Sequence, residues 1–101
     1  TMIRVTIRES FGLPLEYSLE KAYPNPFNSS TNISYHLAEA GDANLSIYNI
    51  LGQKVATLVD DYQTAGYKTV QWNASDYAAG IYFYKLNAGG RTFTKSMTLL
   101  K

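Results

Sequence analysis

Apolar residues recur at every second position through most of this chain, and that period predicts strands rather than helices. "NISYHL" sets Ile33, Tyr35 and Leu37 on one face and Asn32, Ser34 and His36 on the other. "NLSIYN" opposes Leu45 and Ile47 to Ser46 and Tyr48, and "KTVQWN" places Val70 and Trp72 together. "IYFYKL" separates Tyr82, Tyr84 and Leu86 from Ile81, Phe83 and Lys85. In "TFTKSMTL", Phe93, Met97 and Leu99 share a side with Lys95, opposite four hydroxyl residues. "KVATLV" is more continuously apolar, as a strand at a sheet centre or an edge bend can be. No segment carries a convincing apolar stripe of helical period, and "SLEKAY" is good for one helical turn at most.

Turn signals punctuate these segments at Ala40-Gly41-Asp42, Leu51-Gly52-Gln53, Ala65-Gly66, Ala79-Gly80 and Ala88-Gly89-Gly90. Strands at this spacing point to an all-β, antiparallel β-sandwich of about seven strands. Six strands fall after residue 30, and the seventh comes from "EYSLEKAY" or from "MIRVTI". Met2 to Ile7 reads equally as the first strand of this domain or as the end of a preceding region. The "RESFGLPLEY" that follows has the make-up of a linker. We therefore divide the chain into 1–20, the end of a preceding region plus linker, and 21–101, a single folded domain. The opening residues read as the middle of a longer protein, in which any export signal would lie upstream.

Totals narrow the function. With 101 residues the chain holds one domain. A net charge of +1 gives no footprint for nucleic acid, and no apolar run is long enough for a membrane helix. There is no cysteine, so packing alone must hold the domain. His36 is the only histidine, on the polar face of a strand, which leaves no nucleophile–base–stabiliser set. Asp60, Asp61 and Asp76 do not follow a calcium loop, and Asp60-Asp61 reads as the solvated close of a strand. The glycines fit turns rather than a phosphate cradle. Four Asn-x-Ser sequons, at Asn28, Asn32, Asn44 and Asn73, are ordinary for an Asn/Ser-rich surface. We expect no enzyme activity, no cofactor and no metal. Nine tyrosines and one tryptophan could form a sugar-stacking platform, but alternation assigns Trp72 and several tyrosines to the core.

One stretch resists the strand reading. "AYPNPFNSSTNISYHL" inserts Pro24-Asn25-Pro26 between two aromatics, directly ahead of an alternating strand. Prolines lack an N–H, so the segment cannot lie in a sheet centre. Tyr23 and Phe27 would pin it against the sandwich, making it a stiff post between an accessible tether and the domain.

Taken in order, "LEYSLEKAYPNPFNSSTNISYHL", "LSIYNILGQKVATLVDDYQTAGYKTVQWNASDYAAGIYFYKL" and "RTFTKSMTLLK" resemble the type A C-terminal sorting domain of the bacterial type IX (Por) secretion system. The middle part is also similar to the Ig-like domain of the flagellar hook-capping protein. The resemblance implies an Ig-like sandwich that directs an upstream cargo across the outer membrane. It implies passage through the periplasm, recognition by the type IX translocon, and removal by a surface sortase in the linker ahead of Pro24. The protein would then end secreted or at the cell surface, as a monomer that does not itself insert in the membrane. The family's Pro-x-Pro motif matches Pro24, Asn25 and Pro26; its Gly-x-x-Val matches Gly52 and Val55; its Gly-x-Tyr matches Gly80 and Tyr82. Its terminal motif matches Lys95, Met97, Leu99, Leu100 and Lys101. The last strand is the candidate read-out, by addition of a partner strand with Lys95 and Lys101 as charged marks. Two alternatives stay open: an Ig-like accessory module binding polysaccharide for an upstream glycoside hydrolase, and a structural spacer.

Overall fold

The computed structural model describes residues 12–101; Met2 to Ile7 lie outside the described residues. Seven strands follow: β1 (Ser18–Leu19), β2 (Ser30–Leu37), β3 (Gly41–Tyr48), β4 (Lys54–Gln63), β5 (Gly66–Asn73), β6 (Gly80–Ala88) and β7 (Arg91–Leu99). They form two antiparallel sheets, ordered β1-β2-β5 and β4-β3-β6-β7. The fold is the expected all-β sandwich. β4 lies beside β3, whereas the fourth strand of a constant-type immunoglobulin domain pairs with the fifth. The first strand comes from "EYSLEKAY" and is short: Ser18 pairs with His36 and Leu19 with Tyr35. Leu19 is buried, so the packed body already includes residues that the sequence assigned to the linker. Pro14 is buried as well.

Alternation places the core as read. Ile33, Tyr35 and Leu37 of β2 meet Leu45 and Ile47 of β3, with Tyr82, Tyr84 and Leu86 of β6 and Met97 and Leu99 of β7. Trp72 is 3% exposed, which assigns it to packing rather than to a surface platform. Its ring touches Tyr82 edge-on at 5.2 Å, Tyr77 at 5.3 Å and Phe27 at 5.9 Å. Aromatic contacts of this kind add about 0.5–1.5 kcal/mol each beyond area burial.

β4 explains its own broken pattern. Val59 pairs with Leu45 but Thr57 with Ser46, and Ala56 pairs with Ile47 but Lys54 with Tyr48. Leu58 and Val55 are thus the extra residues of two bulges, and both pack against the core. Each bulge resets the inside–outside alternation, which turns the strand's apolar face into a near-continuous run. β4 also continues past its apolar run: Asp60 and Asp61 lie within the strand, paired with Asn44 and Ala43, rather than in a closing turn. Their pairing with β3 carries the ladder on to Gln63. Ser46, on the polar face of a central strand, is fully buried and donates to Asn44 Oδ1 at 2.7 Å.

Tyr84 ties the short first strand to the second sheet. Its hydroxyl donates to Glu20 O at 2.8 Å and accepts from Ala22 N–H at 2.9 Å. Burial pushes its phenol above the ordinary value; burial does the same to Tyr35, whose hydroxyl donates to Gln63 Oε1. Tyr84→Phe leaves the Ala22 N–H and the Glu20 carbonyl without this partner, and is expected to lower unfolding free energy by about 1–3 kcal/mol in urea titration. Because both phenols hold their protons more tightly folded than unfolded, their stabilisation is present below pH 10.0 and lost as pH rises beyond it. Urea midpoints should be flat with respect to these groups from neutral pH to about 9, then fall, with a shallower fall in Tyr84→Phe.

Candidate functional site

The Pro-Asn-Pro segment bridges the two sheets. Tyr23 exchanges both main-chain hydrogen bonds with Asn32 of β2, each at 2.9 Å. Four residues on, Phe27 N–H donates to Thr98 O at 3.0 Å, and Leu100 N–H donates to Phe27 O at 2.7 Å. Phe27 therefore runs as a parallel bridge on Leu99 of β7. The prolines fit because neither occupies a position whose N–H is needed: the donors used are those of Tyr23 and Phe27. Thr31 Oγ1 donates to Pro24 O at 2.7 Å and fixes the bend from inside. Asn25 Oδ1 accepts from Thr98 N–H at 3.0 Å. Only one aromatic pins the segment, however. Phe27 is buried against Trp72, whereas Tyr23 is 78% exposed. Tyr23 follows a buried Ala22 in an extended run, so its side chain points outward.

The other motif residues gather at the same end. Gly80 is the register partner of Leu99 and Tyr82 of Met97. Tyr82 is buried and its hydroxyl donates to Ala78 O at 2.7 Å. Gly52 sits at φ +82 in the β3–β4 turn, where its N–H donates to Asn49 O. A side chain is disfavoured in that conformation. Val55 O accepts from Tyr77 Oη, and Tyr77 packs on Trp72. Met97 and Leu99 are fully buried. Leu100 is half exposed, and Lys101 Nζ donates to Ser75 O at 2.8 Å. Pro24, Pro26, Phe27, Gly80, Tyr82 and the final residues thus belong to one end of the sandwich, built over the Trp72 cluster.

Lys95 stands apart, in mid-β7 opposite Tyr84. It borders a groove of about 530 Å³ together with Lys21, Asn25, Tyr84 and Ser96. Lys21 carries no motif signal. It follows the two-residue β1, which pairs with β2 and packs against β7, a placement that no local pattern signals.

His36 approaches a catalytic arrangement without reaching one. Ser18 Oγ is 2.9 Å and Glu20 Oε2 3.8 Å from the same ring nitrogen, Nδ1. A relay needs the nucleophile and the carboxylate on opposite ring nitrogens. Ser18 also donates to Glu20 directly, and the imidazole lies edge-on against Tyr67. Among the described residues, no group of three or more His, Cys, Asp or Glu side chains is placed to hold a metal ion.

The sequence model of the secretion system C-terminal sorting domain matches residues 21–99. No curated protein matches the chain. Among solved structures, dimeric latent PorU from Porphyromonas gingivalis is similar in fold, with a TM-score of 0.62 at 19% identity. That likeness covers 81% of this chain but only 9% of the PorU chain.

Phe27→Ala is expected to cost about 3–5 kcal/mol, as for other buried phenylalanines. Asn25→Ala should cost only about 0.5–1.5 kcal/mol. Its effect should be local: hydrogen exchange at the Thr98 amide accelerates at least about tenfold more than at core amides of β3.

Proposed function

Because the chain belongs to the secretion system C-terminal sorting domain family, we propose that it is the removable address of an exported cargo carried in the same polypeptide. The family match over residues 21–99 carries this reading. A C-terminal type IX sorting signal sends its protein across the outer membrane to the outside or the cell surface. In the finer reading, the cargo lies upstream, the domain passes the periplasm folded, and the translocon inspects β7 before a surface sortase cuts the tether. The domain acts as a monomer and performs no reaction itself.

Two features support the division between tether and tag. Ser18 and Leu19 are paired and Ala22 buried, so backbone open to a protease lies ahead of Tyr17, around the exposed Leu15 and Glu16. From Tyr23 onward the chain is held by Asn32, Thr31 and β7. The end of the sandwich that holds Phe27, Gly80 and Leu99 is also where most family motif residues meet.

Fused behind a periplasmic reporter in a type IX-competent strain, the chain should deliver the reporter to the medium or surface. Removal of Leu99 to Lys101 should abolish delivery, since it takes away the bridge partner of Phe27; export that persists would show that neither this end nor the bridge it closes is needed. Limited proteolysis of the purified chain should nick ahead of Tyr17 and leave a resistant core, and mass spectrometry of the mature exported reporter should show these residues gone.

A further inference from the structure

Thr98 uses its N–H and C=O on Asn25 and Phe27, so these groups point away from β6. In an antiparallel pair alternate residues share that direction. Thr92, Thr94 and Ser96 therefore also present their main-chain groups outward, and among the described residues nothing pairs with them. The same edge is closed from Thr98 onward by the Pro-Asn-Pro segment. What remains open is the stretch Arg91–Ser96, and the Leu99–Lys101 end is already occupied.

The charges beside it are of one sign. From Arg91 to Lys101 the chain has three basic side chains and no acidic one. Lys95 and Lys21 line one groove with Asn25 and Ser96, and among the described residues no ion pair engages either lysine. Lys95 projects to the same side as Phe93 and Met97, so a strand added to β7 would place one side chain beside it and over that groove.

Resting on the sorting assignment, we infer that the Arg91–Ser96 edge of β7 receives an extended, acidic segment of the export machinery. The segment adds as a fifth strand, with its carboxylate between Lys21 and Lys95. An apolar side chain two residues away on the Phe93 side would meet the half-buried Phe93 ring. An inward lysine on an edge strand also guards against promiscuous pairing. Here that guard selects: two copies joined through β7 would bring lysines of like charge together, whereas an acidic strand neutralises them. The other edges are poorer templates. β4 is broken by two bulges and carries Asp60 and Asp61, β1 has two residues, and the single charge of β5, Lys68, is already on Thr64.

The test titrates the full 101-residue chain, followed by amide NMR, with the blocked peptide Thr-Val-Thr-Glu-Thr-Val-Thr and its central-lysine twin. Shifts should centre on Thr92, Thr94 and Ser96, with the glutamate peptide binding at least about tenfold more tightly. The K21E/K95E variant should reverse that preference, and K95M should erase most of it while the spectrum stays native. Absence of binding, equal affinity for both peptides, shifts at β4 or β5, or lysine-dependent binding only to anionic phosphatidylglycerol vesicles would each overturn the inference. In the reporter fusion, K21E/K95E should cut export at least about tenfold at an unchanged Tm. Export that survives this double reversal defeats the acidic-strand inference alone; export that survives loss of the whole domain defeats the sorting assignment beneath it.

Discussion

The structure depends on the parallel bridge between Phe27 and Leu99. Two stacked sheets share no ladder; what joins them is side-chain packing, which is strong but not directional. The segment from Tyr23 to Phe27 adds direction. Its first residue is bonded to Asn32 of one sheet, and its last to Thr98 of the other and to Leu100 just past it. Phe27 then drops its ring onto Trp72, so the same residue closes the hydrogen-bonded seam and the aromatic core. Main-chain bonds net about 0.5–1.5 kcal/mol each, and a buried phenylalanine about 1.5–3 kcal/mol. Against a total stability of about 5–15 kcal/mol for a domain of this kind, the seam is a large share.

Tyr84 makes a second tie of the same sort, from the opposite direction. It rises from β6 through the core to hold both Glu20 O and Ala22 N–H. Without it, a first strand of two residues would have only two register pairs with β2. A strand that short does not hold itself in place. The route of the chain from Leu19 to Phe27 is thus set by two side chains that reach across the sandwich, Tyr84 and Asn25, as much as by its own pairing.

Much of this was legible because a half-buried strand writes its exposure into sequence. β2, β3, β5, β6 and β7 alternate as read, and the inward position of Lys95 follows from the same period. Where reading faltered, the cause was a partner rather than a local preference. The bulges at Val55 and Leu58 exist only relative to β3. Ser46 is polar and yet buried because its strand has neighbours on both sides. Tyr23 and Phe27 look equivalent in sequence, and only the path between the sheets sends one out and the other in. At the candidate site, the motif residues could be named in advance, but not their meeting. Lys21, which belongs to no motif, was invisible because only the packing of the β1 segment against β7 brings it there.

That meeting has a consequence for how the domain is built. Phe27 belongs to the first third of the described chain, yet its main-chain partners are supplied by the last strand. Contacts so distant in sequence cost loop-closure entropy before they return any stability. The ring of Phe27 rests on Trp72, which packs in turn on Tyr82, and Tyr82 is in register with Met97 of that same last strand. The bridge therefore cannot form ahead of the sandwich, nor can the sandwich be fully packed without the bridge. β7 enters as the piece that completes both, and its C-terminal end is fixed by the same step that leaves its middle open. A rigid end next to an unpaired stretch is what strand addition needs, since the template is held straight before any partner arrives and little ordering cost remains on its side.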